Sequence, residues 1–221
     1  MAIDGPAGVG KSSVGRAVAR ALGYGFINTG EMYRALAWKM EQLSIAPQEE
    51  KAVDDLARSS DWQFRKIDGG TIKTVLDGRL MHTELLGENV SRNSSAIATN
   101  APMREFMKEL QRRLGADGGI VMEGRDIGTV VFPDAELKIY LDATPRERAK
   151  RRYEQLKAAG IAADLQAILG GIISRDSNDS GRKVAPLKKA PDSVVIDTSA
   201  LSIEEVIARI LELAKNKCSR I

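Results

Sequence analysis

One short string near the amino end limits this chain more than anything else in it. Gly5-Pro6-Ala7-Gly8-Val9-Gly10-Lys11-Ser12 satisfies G-x-x-x-x-G-K-[ST], and it lies between a short apolar run, Ala2–Asp4, and an amphipathic stretch from about Lys11 to Leu22. A loop that grips phosphate needs that succession of strand, turn and helix. Its glycines let the backbone wrap an anion with successive N–H groups turned inward, and the helix adds the positive end of its dipole. Lys11 is expected to reach the outer phosphates, and the Ser12 hydroxyl to ligate Mg²⁺. Gly5, Pro6, Ala7, Gly8, Val9, Gly10, Lys11, Ser12 and Ser13 are therefore the candidate ATP cradle. The plain alternative is a glycine-rich turn with a capping serine.

The rest of the chain alternates short apolar runs with amphipathic helices, the pattern of a parallel sheet covered on both faces. Strands are predicted at Ala2–Asp4, Tyr24–Asn28, Ile120–Glu123, Leu137–Leu141 and Val194–Asp197. The first helix puts Val14, Val18, Ala21 and Leu22 on one face and stops at Gly23, which suits the C′ position. The helix after the second strand has an apolar face that includes Met32, Leu36 and Met40. Thr144-Pro145-Arg146-Glu147 and Ser202-Ile203-Glu204-Glu205 read as capping boxes, the first with Pro at N1. Met103, Phe106, Met107, Leu110 and Leu114 follow helical spacing and read as core. Two stretches break the alternation. Asp61–His82 turns to period two around Asp68-Gly69-Gly70 and Asp77-Gly78, which predicts an inserted antiparallel meander. Ser174–Lys189 is polar and basic without an apolar period, and Ala158-Ala159-Gly160 is expected to end the long basic helix before it. These parts make an α/β chain with a doubly wound parallel core.

Composition narrows what such a core can serve. The 221 residues are 43% hydrophobic and 29% charged, an ordinary globular balance, and no apolar run approaches the roughly 18 residues that cross a bilayer. An acid at position 4 and the lack of an apolar leader region argue against a secretory signal. A single cysteine, Cys218, cannot make an intrachain disulfide or a zinc cluster and reads as a surface thiol. His82, the only histidine, falls in a predicted hairpin or loop, which argues against a Ser–His–Asp triad or a histidine metal site. A cytoplasmic chain without a membrane partner is expected. Residues 146–189 hold eleven Lys/Arg against five Asp/Glu, a net of +6 in a chain of net +3, so the remainder carries about −3. That stretch suits a lid over polyphosphate or a surface for duplex nucleic acid, while aromatics at 5% leave little for base stacking.

A P-loop alone does not separate kinases from GTPases and motor ATPases. No N-K-x-D guanine signature follows it, and Glu123, ending a predicted strand, is a candidate partner for Mg²⁺ through water. Moving a phosphoryl group between two nucleotides gathers roughly four negative charges on ATP and about two on the acceptor, so several cations must converge. Arg34, Arg104, Arg125, Arg148, Arg151, Arg152, Arg175 and Arg182 are the candidates. Arg34 lies one turn into the helix after the second strand. Arg125 follows the Glu123 strand at its carboxyl end, where doubly wound sheets bind ligands. Solvated surface arginine is the alternative for each.

Asn28-Thr29-Gly30-Glu31-Met32-Tyr33-Arg34-Ala35, then Glu123-Gly124-Arg125-Asp126-Ile127-Gly128-Thr129-Val130-Val131-Phe132-Pro133-Asp134-Ala135, then Val184-Ala185-Pro186-Leu187 resemble the bacterial cytidylate (CMP/dCMP) kinases. The P-loop, Arg148-Ala149-Lys150-Arg151-Arg152, and Arg175-Asp176 with Asp179 and Arg182 extend the resemblance, in order, over essentially the whole chain. It implies phosphoryl transfer from ATP, with Mg²⁺, to CMP or dCMP, by a monomer that acts on small nucleotides and not on nucleic acid. It also implies three parts: a P-loop core at 1–32, 104–150 and 183–221, a monophosphate-binding domain at 33–103 with its small antiparallel sheet, and a helical, basic lid at 151–182.

The resemblance puts Arg34, Arg125 and Arg182 on the acceptor phosphate with Thr29 beside it. It puts Ser95, Arg104 and Asp126 on cytosine, and Arg175 and Asp179 on the sugar hydroxyls. Arg148, Arg151 and Arg152 fall in the lid over the donor phosphates, and Lys11, Arg125, Arg148 and Arg152 become the catalytic cations. The base assignment has a chemical reason: cytosine offers an amine where uracil offers a carbonyl oxygen, and a carboxylate accepts from the first and repels the second. Two departures stand out. The first strand begins almost at Met1, so a frayed edge is expected there. Asn28 stands where the family pattern has aspartate, and it is expected to cap the following helix with Glu31 at N3. The rivals are a uridylate or adenylate kinase and a nucleotide-dependent nucleic-acid-binding protein.

Overall fold

The computed structural model describes residues 1–158 and 160–218, the last through its backbone alone, so the expected surface thiol of Cys218 lies outside the described side chains. The elements run β1 (Ala2–Asp4), α1 (Lys11–Leu22), β2 (Gly25–Asn28), α2 (Thr29–Gln42), α3 (Glu50–Ser59), β3 (Trp62–Lys66), β4 (Thr71–Leu76) and β5 (Arg79–Leu80). There follow α4 (Glu88–Ile97), α5 (Ala101–Gly115), β6 (Ile120–Gly124), a π-type turn (Ile127–Val131), β7 (Lys138–Asp142), α6 (Pro145–Ala158), α7 (Leu165–Gly181), β8 (Val194–Asp197) and α8 (Ile203–Cys218).

The strands form one sheet in the order β3-β4-β2-β6-β1-β7-β8, with β5 on the side of β4. From β2 to β8 all pairings are parallel, as the alternation of runs and helices predicts. Successive residues face opposite sides of the pleat and feed separate cores. Ile3, Phe26 and Val121 pack with Val14 and Val18 of α1 and Val206 and Ile210 of α8. Ala2, Ile27 and Met122 pack on the other face with Ile127, Val131 and Leu114. Met32, Leu36 and Met40 join Met103, Met107 and Leu110 in a third cluster among α2, α3, α4 and α5.

Three expectations are modified. The meander is antiparallel where predicted, but β4 also pairs in parallel with β2 (Phe26 opposite Thr71, Ile27 opposite Ile72), so it extends the core sheet and does not stand apart from it. β1 is not frayed: it lies between β6 and β7 with all three residues buried, and the Met1 nitrogen donates to the Ile120 carbonyl at 2.9 Å. Finally, Ser174–Gly181 is helical. It continues α7, whose polar end is fastened by ion pairs that a local pattern cannot announce.

Helix ends follow the sequence signals more closely. Gly23 takes φ +71° as the C-cap of α1, and the Tyr24 N–H reaches the Ala19 carbonyl at 2.8 Å. Ser202 and Glu205 cap α8 reciprocally, at 3.1 Å and 2.8 Å. β1, β2 and β6 all end at one edge of the sheet. There the P-loop, Asn28–Thr29 and Gly124–Asp126 meet, as the topology of open α/β sheets requires of a ligand site.

Candidate active site

The phosphate loop keeps its shape through glycine. Gly5 has φ +149°, and a Cβ there would lie 2.2 Å from the Leu141 carbonyl oxygen, so the loop can run against β7 only without a side chain. Gly10, at φ +98°, opens α1. Lys11 folds back over the loop, its Nζ donating to the carbonyls of Gly5 and Pro6 at 2.8 Å and 2.7 Å. Burial holds this ammonium well below its ordinary pKa, and the Arg125 charge pushes the same way. The Glu123 and Asp4 charges oppose that fall. Val9 points into the α1–α8 core and Ser13 is exposed, so these two contribute backbone to the loop.

Ser12 donates to Oε1 of Glu123 at 2.6 Å, joining the start of α1 to the end of β6 across the loop. Burial raises the Glu123 carboxyl pKa against the opposing pull of Lys11 and Ser12. Its second oxygen, Oε2, is buried with no hydrogen-bond partner. A hydroxyl beside a carboxylate with a spare oxygen is the donor set that suits a hydrated Mg²⁺. Asn28 does not cap α2 as expected. Its Nδ2 lies 3.5 Å from Ser12 Oγ, and Glu31 pairs instead with Lys73 of β4 at 2.7 Å. The nearby hydroxyl and the β4 lysine attract these side chains away from the helix end.

Beyond the loop lies a cleft of about 220 Å³. Lys11, Ser12, Thr29, Arg34, Ser95, Arg104, Arg125, Asp126, Arg175, Asp179 and Arg182 all line it, so residues spread over 170 positions of sequence converge as the motif reading expected. Six of the lining side chains are cationic and three are carboxylates, an excess that suits a multiply charged anion. At one end, Arg104 donates to Asp126 Oδ2 at 2.6 Å and to the Ala98 carbonyl at 3.2 Å, with its guanidinium 5.6 Å from the Tyr33 ring centre. In the middle, Arg125 donates to Asp179 Oδ2 at 2.7 Å, and Arg182 donates to the Asp179 carbonyl at 3.3 Å. Burial alone would raise the Asp179 carboxyl, but Arg125, Arg182 and Arg175 together outweigh it and hold the pKa below the usual carboxylate range. Arg175 and Arg182 are lowered by burial first and by neighbouring guanidinium groups second, Arg175 to about 10, while burial lowers Arg34 against the opposing pull of Glu31 and Glu123. Arg175 Nε and Arg182 Nη2 are buried without acceptors. They are donors in want of an anion.

The three α6 arginines expected at the donor phosphates divide. Arg148 is buried and donates to the P-loop carbonyl of Ala7 at 3.1 Å and, through both terminal nitrogens, to Asp176 at 3.0 Å and 2.5 Å. Arg151 turns to Thr198 after β8, and Arg152 is exposed outside the cleft. Asn28, Tyr33, Ser94 and Ala98 also line the cleft, though the motif reading assigned them no role there. Asn28 and Tyr33 flank Thr29 and Arg34 within one motif, which was the available signal; Ser94 and Ala98 carried none. Among the described residues no group of three or more His, Cys, Asp or Glu is placed to hold a metal, and no helix is long and apolar enough to cross a membrane.

A phosphate loop at the carboxyl edge of a parallel sheet, opening into one cleft with five arginines, puts this chain among the P-loop phosphotransferases. The comparisons narrow that class. Residues 1–216 match the family model for cytidylate kinase. The chain is 40% identical over 220 residues to a cytidylate kinase of Geobacter sp. (strain M21), covering all of this chain and 94% of that one. It is 43% identical over 217 residues to a cytidylate kinase of Syntrophotalea carbinolica, covering 98% and 92%. A gluconokinase from Sinorhizobium meliloti 1021, at 15% identity, superposes with a TM-score of 0.50 over 99% of this chain and 95% of its own, a likeness of fold alone. The chain belongs to the cytidylate kinase family.

Proposed function

We propose that this protein transfers the γ-phosphoryl group of ATP to CMP or dCMP, giving ADP and CDP or dCDP. The observation that carries the reading is the Arg104–Asp126 pair, 2.6 Å apart and buried, in the same cleft as Lys11. A guanidinium beside a carboxylate presents donors for the N3 and O2 acceptors of cytosine and an acceptor for its amine. A uracil would set its carbonyl oxygen against the Asp126 carboxylate, acceptor facing acceptor in a buried place, which disfavours it.

The roles follow the charge map. Lys11 and the loop amides hold the donor phosphates, and Arg148, anchored on Ala7, stands beside them. Arg34, Arg125 and Arg182, with Thr29, hold the acceptor phosphate. Arg175 and Asp179 lie where sugar hydroxyls would pass, and Ser95 adds a hydroxyl near the base. Arg152 reaches the donor only if the 151–182 lid swings inward, a movement consistent with a division into core, monophosphate-binding part (33–103) and lid. Mg²⁺ arrives as part of the nucleotide substrate, and Ser12 with Glu123 would hold it. Catalysis needs alignment and charge neutralisation, with no covalent enzyme intermediate. Asp179 releases part of its hold on Arg125 when the acceptor phosphate arrives to take that guanidinium. On this reading the protein is a cytoplasmic monomer acting on free nucleotides.

An acceptor panel tests this directly. With MgATP as donor, CMP and dCMP should be phosphorylated with a kcat/KM far above UMP and AMP. Equal or faster turnover of UMP or AMP overturns the base assignment, and no turnover of any of the four overturns the reaction.

A further inference from the structure

Asp4 is the last residue of β1 and immediately precedes the first glycine of the phosphate loop, yet its carboxylate is hydrogen-bonded to a distant turn. Oδ1 accepts the N–H of Ile127 at 2.9 Å and Oδ2 that of Gly128 at 2.7 Å, across more than 120 positions of sequence. These are the first two amides of the π-type turn that follows Asp126. The site is tight: Asp4 is 5% exposed, and a Cβ on Gly128 would come within 3.3 Å of Oδ2.

Asp126 is the N-cap of that turn, and an aspartate at an N-cap ordinarily bends back to accept from the second or third amide of its own helix. Here it makes no such bond. The Gly128 N–H, one of the two amides it could take, is already held by Asp4, and the Asp126 carboxylate lines the cleft instead, on Arg104. The turn is capped from another strand. Its first residue is thereby left free to face the ligand.

We propose that Asp4 is a specificity-positioning residue: by capping the 127–131 turn in place of Asp126, it keeps the Asp126 carboxylate turned toward the nucleobase. The proposal rests on the base reading given above. Without the Asp4 carboxylate, Asp126 becomes the best available cap for its own turn and leaves Arg104.

The test uses Asp4→Asn, which keeps the shape but sets an amide N–H against one of the two backbone donors, with Asp4→Ser as a second, smaller variant should the first not fold. CMP and UMP are offered in competition, and Asp126→Ala and the double variant Asp4→Asn/Asp126→Ala are measured alongside. The expected result is a fall of about tenfold in the CMP-over-UMP ratio of kcat/KM for Asp4→Asn, the order of a lost polar discrimination in a binding site. Discrimination by the double variant should equal that of Asp126→Ala alone, because the two residues act through one contact. Wild-type discrimination in Asp4→Asn, equal losses for both acceptors, or additive losses in the double variant overturn the proposal. If Asp126→Ala itself keeps full discrimination, the base reading fails. A crystal structure of Asp4→Asn then decides the positioning claim alone: Asp126 on its own turn supports it, and Asp126 still on Arg104 overturns it.

Discussion

At the scale of single residues, the two buried acid–base groups next to the phosphate loop respond to burial in opposite ways. Lys11 is a cation held by the Gly5 and Pro6 carbonyls and acted on by the Glu123 and Asp4 charges, and on the proposed reading it holds the donor phosphates. Lys11→Ala should therefore lower kcat by roughly 10²–10³, as loss of a donor to transition-state charge does, with little change in KM for CMP. Steady-state kinetics with CMP varied at saturating MgATP separates the two parameters, and equal losses in both would count against the assignment. Asp4 is an acid whose pKa is raised from 3.8 to about 6, by burial first, against the Gly128 and Ile127 amides, with Asp126 raising it further and Lys11 lowering it. Between those values the native state binds the proton more tightly than the unfolded chain. The contribution of Asp4 to stability therefore falls as pH rises from about 4 to about 6, and is level above that. Urea titrations of wild type and Asp4→Asn should show the wild-type advantage shrinking across that window. A difference independent of pH would mean that burial does not hold the carboxyl up.

At the scale of elements, α7 is the helix that its own sequence favours least. Leu165–Gly181 carries Gly170 and Gly171 in its interior, where added Cβ atoms would meet nothing within 4 Å, and its second half is rich in Ser, Asp and Asn. Its tertiary ties are the Asp176–Arg148 and Asp179–Arg125 ion pairs, which connect it to α6 and to the loop after β6. Replacing both glycines by alanine adds about 1 kcal/mol of helix propensity at each position. For a chain of this size each kcal/mol raises Tm by about 2–4 °C. Thermal unfolding should detect that rise, and an unchanged or lower Tm would show that these positions need glycine for a reason other than open space. The same element explains why part of the site was hard to read. Arg175, Asp179 and Arg182 were found by motif, but the helix that presents them was not, because propensity and period are both weak there and distant partners supply the order. α1 and α8 are the contrast: apolar spacing, a stop at Gly23 and a capping box at Ser202 are local signals, and the helices formed where those signals lay.

On the scale of the whole molecule, the sheet gathers cations faster than it gathers partners for them. Arg175 Nε and Arg182 Nη2 lie buried without acceptors, and such groups trade stability of the empty protein for affinity toward an anion. Arg175→Met should leave the Tm of the nucleotide-free protein equal or higher while raising KM for CMP by about tenfold or more, the worth of a charge-assisted hydrogen bond of ~1.5–3 kcal/mol. A marked fall in Tm together with an unchanged KM would reverse that view of Arg175. The sequence by itself determined the phosphate loop with its strand and helix, the run of parallel strands and the antiparallel insert, and it named Arg34, Arg104, Arg125, Arg175 and Arg182 among the arginines to converge. Those features are encoded locally, in glycine positions, apolar period and short motifs, and hold whichever strand lies beside which. Only the tertiary structure decided that β4 would extend the core sheet at β2, that Asn28 would face Ser12 and not cap α2, that α7 would be helical, and that Asp4 would cap a turn far along the chain. Each of those depends on which backbone donors and charges a buried group finds once the sheet has closed, and no stretch of residues carries that information about its eventual neighbours.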